Sequence, residues 1–244
     1  YTGEDTLSLH DALPISTPLP STGGKETYVT QLNPIPIEAG LGADQRPLIV
    51  NAVSLIKAKQ LTEAGHLLDQ ALATFRDRMT NPDAKYVSAP TKAELDAFSI
   101  ESNAASNIIW VDWGFREVLH LKAFIESTFK RFELALHFLD EEIRYAPTAS
   151  APYVERGYIL SQQGKSRAAL EAYTLALDLS RRYESSAGAE GAALRGMGVV
   201  LVDLQEFDRA EQYLHESLKI DQGNRLAIKE LEYIRKLRAA SSTR

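Results

Sequence analysis

Apolar residues recur every three or four positions from Pro47 onward, which is the spacing of one face of an α-helix. The pattern predicts a pair of helices over residues 46–78, a short helix over about Lys92–Ser102, a long helix over Asn107–Phe129 and further helices up to residue 240. We therefore expect an all-α protein.

An alanine recurs at a fixed interval within this helical region. Ala135 and Ala169 lie 34 residues apart, and Ala210 follows Ala169 after 41 residues. The surplus lies in the polar loop Glu184–Glu190, and such an insertion is tolerated because each repeat contacts mainly its neighbours. A period of 34 residues is that of helix–turn–helix solenoids.

These residues resemble the tetratricopeptide repeat (TPR) family. Gly157 and Tyr173 stand at small and aromatic positions of the family pattern, and units are identified over about 116–149, 150–183 and 191–224. The resemblance extends loosely to a degenerate hairpin over 46–78, where Ala64 takes the place of the recurrent alanine. It implies a right-handed α-solenoid of helix–turn–helix repeats, closed by a C-terminal capping helix.

A loop-rich segment separates this first hairpin from the three repeats. The loop Met79–Pro90 breaks the helical pattern, and Thr91 with Glu94 has the spacing of a capping box, which predicts the short helix that follows. We expect Trp110 and Trp113 to seal the insertion against the solenoid, because large aromatic side chains dominate such burial. A ligand-stacking platform is the alternative.

The N-terminal part differs from the rest in composition. Asp5–Ser16 is similar, residue for residue, to one translated frame of a common sequencing adapter, and the chain begins at Tyr1 rather than at a methionine. We expect this tract to be non-native and the natural N-terminus to be missing, which leaves the location open between cytoplasmic and exported. Partial alternation over Tyr28–Ile37 allows an extended arm along a groove or helix.

The predicted segments are the non-native tract 1–16, the extended Pro/Gly-rich leader 17–45, the degenerate hairpin 46–78, the inserted loop and short helix 79–106, the three repeats 107–224, and the capping helix and tail 225–244.

The family resemblance also implies a binding surface. Members bind extended peptides or partner helices on a concave surface lined by the first helix of each repeat. Carried over position by position, the groove residues are His120, Phe124, Thr128, Val154, Tyr158, Gln162, Arg195, Val199 and Asp203. These side chains favour an apolar peptide or helix with a few polar anchors, although some of them could instead pack between repeats or under the leader.

One branch of the family grips the carboxylate tail of chaperones with lysine, asparagine and arginine at such positions. Phe124, Tyr158 and Val199 stand where the asparagines would be needed. We therefore do not expect this chain to bind chaperone tails.

Composition excludes several classes of function. The net charge of −6 and the interspersed charges argue against a nucleic-acid-binding protein that works by neutralising phosphates. The sequence contains no apolar run near the roughly 18 residues that a membrane-spanning helix requires. Without cysteine, disulfides, thiolate metal sites and cysteine nucleophiles are excluded.

The sequence offers few candidates for catalysis or metal binding. Glu63/His66 and Glu117/His120 have the Glu-x-x-His spacing of di-iron sites in helix bundles, but such pairs also arise by chance. No Gly-rich phosphate loop or nucleophile elbow is found. We expect a non-enzymatic scaffold or adaptor without a catalytic residue, metal or cofactor, whose partner is a protein or peptide. The alternatives are a solenoid that binds a small ligand or metal under the region Met79–Trp113, and a homo-oligomer that associates through a repeat face.

Overall fold

The computed structural model describes residues 39–101 and 107–241, which contain ten α-helices and two short β-strands. The helices are α1 (Arg46–Lys57), α2 (Leu61–Arg78), α3 (Lys92–Glu101), α4 (Trp113–Thr128), α5 (Phe132–Tyr145), α6 (Ala151–Gln162), α7 (Ser166–Arg182), α8 (Glu190–Asp203), α9 (Phe207–Ile220) and α10 (Arg225–Ser241). The strands are β1 (Lys85–Ser88) and β2 (Ile108–Val111). The adapter-like tract Asp5–Ser16 and the predicted arm Tyr28–Ile37 lie outside the described residues.

Consecutive helices pair into hairpins that stack along the chain. The hairpins are α1–α2, α4–α5, α6–α7 and α8–α9, and each packs on the next through its second helix. The last helix, α10, packs against α8 and α9 and covers the end of the array. The prediction of an all-α TPR-type solenoid with a capping helix is thereby confirmed. None of the helices in residues 39–101 and 107–241 is both long and apolar enough to cross a membrane.

The turn inside each hairpin repeats one backbone geometry. The residue five positions before the recurrent alanine has a positive φ of 58° to 71° in all four hairpins; these residues are Lys59, Lys130, Gly164 and Gln205. The N–H of the following residue donates to a carbonyl at the end of the first helix, as from Gln60 to Leu55 at 2.9 Å. This is the Schellman ending of a helix. The hairpin α1–α2 therefore has the same turn as the three hairpins that follow it.

Small residues let neighbouring units approach closely around Tyr173. The ring of Tyr173 on α7 lies against Gly157 of α6 and Gly196 of α8, and a Cβ atom at Gly157 would be 2.8 Å from it. A Cβ atom at Gly196 would be closer still. The recurrent alanines are all fully buried: Ala64, Ala135, Ala169 and Ala210. The alanine that recurs in the sequence therefore marks a buried packing position that recurs in each hairpin.

A small parallel sheet forms within the insertion. β1 pairs with β2 from Lys85 opposite Ile108 to Ser88 opposite Val111, and α3 connects the two strands. Leu41 adds a further parallel bridge to Val111. The insertion is therefore a β–α–β unit, which the helical pattern of the sequence does not predict.

The prediction of one helix over Asn107–Phe129 is wrong in its first part. Residues Ile108–Val111 form β2, and α4 begins only at Trp113. A short run of β-branched and aromatic residues suits a strand as well as a helix. Asp112 separates the two elements, because its Oδ1 accepts a hydrogen bond from the Gly114 N–H at 3.0 Å and so caps α4.

The insertion interrupts the repeats in sequence but not in space. α2 packs directly on α4, and the ring centroids of Phe75 and Phe115 are 5.3 Å apart across this contact. Lys122 of α4 also forms an ion pair with Asp69 of α2. The first hairpin and the repeats consequently share one core, and the β–α–β unit lies beside it.

Candidate binding groove on the inner helices

We call the first helix of each repeat unit, α4, α6 and α8, the inner helices. They carry the nine predicted groove residues at equivalent positions. The structure leaves Phe124, Val154, Tyr158 and Val199 half-buried, leaves Thr128, Gln162 and Asp203 exposed, and buries His120 and Arg195 to 2% and 4% exposure. The inner helices therefore share a line of accessible apolar side chains, whereas two of the predicted polar residues lie beneath the surface.

The half-buried residues rest on the cores of two neighbouring units. Phe124 and Tyr158 pack against the core that the first hairpin and first repeat share, and Val154 packs against the core around Tyr173. Thr128 donates its hydroxyl hydrogen bond to the Phe124 carbonyl at 2.9 Å. The apolar line is thus anchored on one side and accessible on the other.

A buried ionic cluster lies under this line. His120 Nδ1 is 3.1 Å from Glu142 Oε2, and both side chains are 2% exposed. Burial alone lowers the pKa of His120, but the carboxylates of Glu142, Glu155 and Glu117 outweigh it and raise the pKa to about 10. The imidazole is therefore charged at neutral pH, donates to Glu142 and holds α4 to α5.

Two further carboxylates of this cluster have no direct partner. Glu117 and Glu155 are 9% and 6% exposed, and within residues 39–101 and 107–241 neither forms a hydrogen bond or ion pair. Burial raises the pKa of both carboxyl groups, although His120 nearby opposes the shift. Their charged forms are consequently disfavoured in the protein as it stands.

A second pair of carboxylates lies at the C-terminal end of the inner helices. Asp203 ends α8, and Glu230 on the capping helix α10 is 6% exposed. Although Asp203 is exposed as a whole, partial burial of its carboxyl group raises its pKa. Burial first and the Asp203 charge second raise the pKa of Glu230, so the charged form of Glu230 is disfavoured.

Sequence reasoning finds part of this arrangement. Glu117 and His120 are singled out by their spacing, but as a possible metal pair. Glu142 and Glu155 are missed because they come from other helices, and only the stacking of units brings them to His120. The other pair, Glu63 and His66, is exposed on α2. In the part of the chain that the structure describes, no group of three His, Asp or Glu side chains could hold a metal ion.

Both tryptophans of the insertion are engaged in internal contacts. The Trp110 indole packs against the cluster of Val87, Ala89 and Leu95, and its Nε1 donates to the Ala89 carbonyl at 3.0 Å. The Arg46 guanidinium lies 5.7 Å from the centroid of the Trp113 ring. These contacts agree with a sealing role rather than with a stacking platform.

Comparison with known proteins supports the repeat assignment. Residues 151–183 match the family model of the tetratricopeptide repeat, which covers one unit, α6–α7. A search of curated proteins finds no match.

Similarity to solved structures concerns the fold alone. A tetratricopeptide repeat protein from Parabacteroides merdae superposes with a TM-score of 0.53 at 16% identity, over 80% of this chain and 60% of that one. The first TPR domain of Spaghetti, bound to an HSP90 peptide, has a TM-score of 0.46 at 20% identity, over 51% of this chain and 93% of that one. The Arabidopsis OM64 TPR domain has a TM-score of 0.45 at 18% identity, over 50% and 94%. The match over α6–α7 and the superposition on the Parabacteroides merdae protein show that the stacked hairpins have the tetratricopeptide repeat fold.

Proposed function

We propose that the chain is a non-enzymatic scaffold or adaptor that binds an extended peptide or a partner helix along a concave groove formed by the inner helices. One observation carries the proposal. Phe124, Tyr158 and Val199 occupy the same position in three successive units, and each remains only half-buried. A row of partly exposed apolar side chains at the repeat spacing suits a partner that runs across several units.

We assign different roles to the predicted groove residues according to their burial. Tyr158 and Phe124 are the candidate anchors, because a few residues carry most of the binding energy of an interface and aromatic residues are frequent among such anchors. The exposed Thr128, Gln162 and Asp203 could supply polar contacts at the margin. His120 and Arg195 are buried, so we assign them to holding the inner helices in place rather than to direct contact.

The proposal can be tested without a known partner. Peptides that bind the immobilised chain are selected from a random display library, and their Kd values are measured by fluorescence anisotropy. In the double variant Phe124→Ala/Tyr158→Ala, we expect the affinity for the selected peptides to fall by at least about tenfold, or about 1.4 kcal/mol.

The chain offers a matched control on the outer helices. Leu134 on α5 and Leu175 on α7 are 41% and 50% exposed, and the double variant Leu134→Ala/Leu175→Ala should retain the affinity of the wild type. An equal loss in both double variants, or full binding by Phe124→Ala/Tyr158→Ala, would show that the groove is not the binding surface.

A further inference from the structure

We infer that the array of hairpins is a one-sided hinge: its units are fixed to one another along the edge that carries the linkers, and they separate along the opposite edge. The linkers are residues 146–150, between the first and second repeats, and residues 183–189, between the second and third. The opposite edge carries the turns inside the hairpins. We call the two sides the linker edge and the turn edge.

Three buried residues join the two linkers directly. Ser186 Oγ accepts from the Ser150 N–H at 3.1 Å and donates to the Thr148 carbonyl at 2.8 Å. The Ser150 hydroxyl donates in turn to the Ser186 carbonyl at 3.0 Å. Because all three residues are at most 5% exposed, pulling the linkers apart would leave buried polar groups unpaired, which is unfavourable.

Helix α3 of the insertion spans the same two linkers. The Thr148 hydroxyl donates to Glu94 in the first turn of α3 at 2.6 Å, and the Tyr183 hydroxyl donates to Glu101, its last residue, at 2.6 Å. Arg182 forms a further bond to Glu101 at 3.0 Å. The two glutamates are seven residues apart, so their contacts lie about 10 Å from each other along one rigid helix. α3 therefore acts as a brace between the linkers.

Ion pairs between hairpins lie toward the same edge. Arg76 and Glu141, 2.7 Å apart, belong to the last two turns of α2 and α5, which end at the linker edge. Arg181, next to the last residue of α7, pairs with Glu190 at the start of α8 at 2.7 Å and also with Glu216 of α9. The linker edge is thus bonded from the first hairpin to the third repeat.

The turn edge carries no comparable bonds between hairpins. In residues 39–101 and 107–241, no hydrogen bond or ion pair joins the turn of one hairpin to the turn of another. Arg131 and Arg209, which lie beside two of the turns, pair with Glu126 and Glu206 of their own hairpins. Separating the turns therefore breaks no polar contact, whereas separating the linkers breaks several.

The capping helix limits where the hinge can open. Arg238 of α10 pairs with Asp208 and Glu211 at the start of α9, at 2.5 and 3.0 Å, and so closes the last turn against the cap. The freedom at the turn edge consequently concerns the hairpins relative to one another, and the capped end moves as one piece with the third repeat.

Rotation about the linker edge changes the proposed groove at one end. The inner helices begin at the linker edge and end at the turn edge. Separation of the turns therefore moves the C-terminal ends of α4, α6 and α8 apart, together with the exposed Thr128, Gln162 and Asp203. If the groove binds a partner as proposed above, this motion adjusts its width. That consequence rests on the proposed function, whereas the hinge itself does not.

Spin-label distances measure the two edges separately, because the sequence has no native cysteine. Thr62→Cys/Arg167→Cys places labels on α2 and α7 next to the turn edge, and Ala73→Cys/Asp178→Cys places them on the same helices toward the linker edge. All four positions are exposed, and the two pairs have the same separation in sequence. In the full chain we expect a broad distance distribution for the turn-edge pair and a narrow one for the linker-edge pair.

Two variants release the linker edge by different routes. Glu94→Ala/Glu101→Ala removes both acceptors on α3, and Ser186→Ala removes a hydroxyl of the buried network. In each variant, the distribution of the linker-edge pair should broaden toward that of the turn-edge pair. The control Glu133→Ala/Glu232→Ala removes two exposed glutamates from α5 and α10 and should leave both distributions unchanged. Circular dichroism checks that each variant is folded.

The outcomes separate this inference from the proposed function. Equal widths for the two pairs without further substitutions overturn the hinge, and so does a linker-edge distribution that stays narrow in both released variants. A selected library peptide that narrows only the turn-edge distribution supports both the hinge and the groove. If the peptide changes neither distribution while the turn-edge pair stays broad, the hinge stands and binding across the inner helices is contradicted.

Discussion

The regular repeats and the inserted segment are held by different kinds of contact. In the repeats, small residues bring apolar surfaces together, as where Tyr173 lies against two glycines. The insertion is attached by polar groups: Asp112 is fully buried, its Oδ1 accepts from Arg46 Nε at 3.1 Å, and its carbonyl accepts from the Ser88 hydroxyl at 2.9 Å. A solenoid can therefore accommodate an inserted β–α–β unit while its helical hairpins remain stacked on one another.

The insertion also connects units that do not follow each other directly in the array. Glu94 of α3 accepts from the Thr148 hydroxyl at 2.6 Å, and Glu101 accepts from Arg182 at 3.0 Å and from the Tyr183 hydroxyl at 2.6 Å. A plain solenoid has contacts mainly between neighbours. The β–α–β unit therefore adds hydrogen bonds to repeats that are distant from it in sequence.

Removing the buried acid at the junction should have the largest effect. Asp112→Ala leaves Arg46 without its carboxylate and α4 without its cap, and we expect it to lower the free energy of unfolding by about 3–5 kcal/mol. Urea denaturation measures the change. The control Asp140→Ala breaks the more exposed pair with Arg156 and should cost at most about 1 kcal/mol. Equal losses would mean that the junction is no stronger than a surface ion pair.

The cluster beneath the groove should make the repeats less stable in alkaline solution. Folded His120 has a pKa of about 10 against 6.5 as the ordinary value, so its stabilisation is complete below about pH 6.5 and is lost as the pH rises through about 10. Between about pH 7 and pH 9 this corresponds to a loss of about 2 kcal/mol. The raised pKa values of Glu117 and Glu155 act in the same direction at lower pH.

The variant Glu142→Gln isolates this pH effect. It removes the carboxylate bonded to His120, so its unfolding free energy should change less than that of the wild type over the same pH range. Parallel pH profiles for the two proteins would contradict the ionic interpretation of the cluster.

Adding a methyl group where two helices of the repeats are in close contact should have an intermediate effect on stability. Gly196→Ala places a methyl group against the Tyr173 ring, and we expect a loss of about 1–3 kcal/mol in thermal or urea denaturation. Gly65 on α2 has no atom near its Cβ position, so Gly65→Ala should instead stabilise the protein by about 0.5–1 kcal/mol. The two substitutions should change stability in opposite directions. If Gly196→Ala stabilised the protein, the close contact between Gly196 and the Tyr173 ring would be refuted.

Removing one hydrogen bond that attaches the insertion should have the smallest effect on stability. Thr148→Val removes the hydroxyl that donates to Glu94, and we expect about 1 kcal/mol of destabilisation, with faster amide exchange in α3. Thr148→Ser keeps the donor and should behave like the wild type. Unchanged exchange in α3 for Thr148→Val would show that this bond does not hold the insertion.

The fold of the repeats could be predicted because it depends on local spacing. The recurrent alanine and the glycine at Gly157 reflect contacts within one or two units, so the period alone identifies the solenoid. Strand β2 could not be predicted, because its four residues become a strand only by pairing with Lys85–Ser88, which lies far away in sequence. An apolar run this short has no periodicity that separates strand from helix.

The candidate site was predictable only in part, for a similar reason. The positions of Phe124, Tyr158 and Val199 follow from the repeat register, and their role as a groove stays a prediction. The ionic cluster depends on three helices meeting, and nothing in the sequence around Glu142 or Glu155 marks them as partners of His120. Glu230 is likewise indistinguishable from its charged neighbours on α10 until the helix is docked against α8.

A binding footprint locates the peptide-binding surface on the protein directly. Amide hydrogen exchange is measured for the full chain alone and with a peptide selected from the library. We predict new protection in the inner helices α4, α6 and α8, around Phe124, Tyr158 and Val199, with α3 and the strands unchanged. Protection confined to the β–α–β insertion or to the outer helices would contradict it.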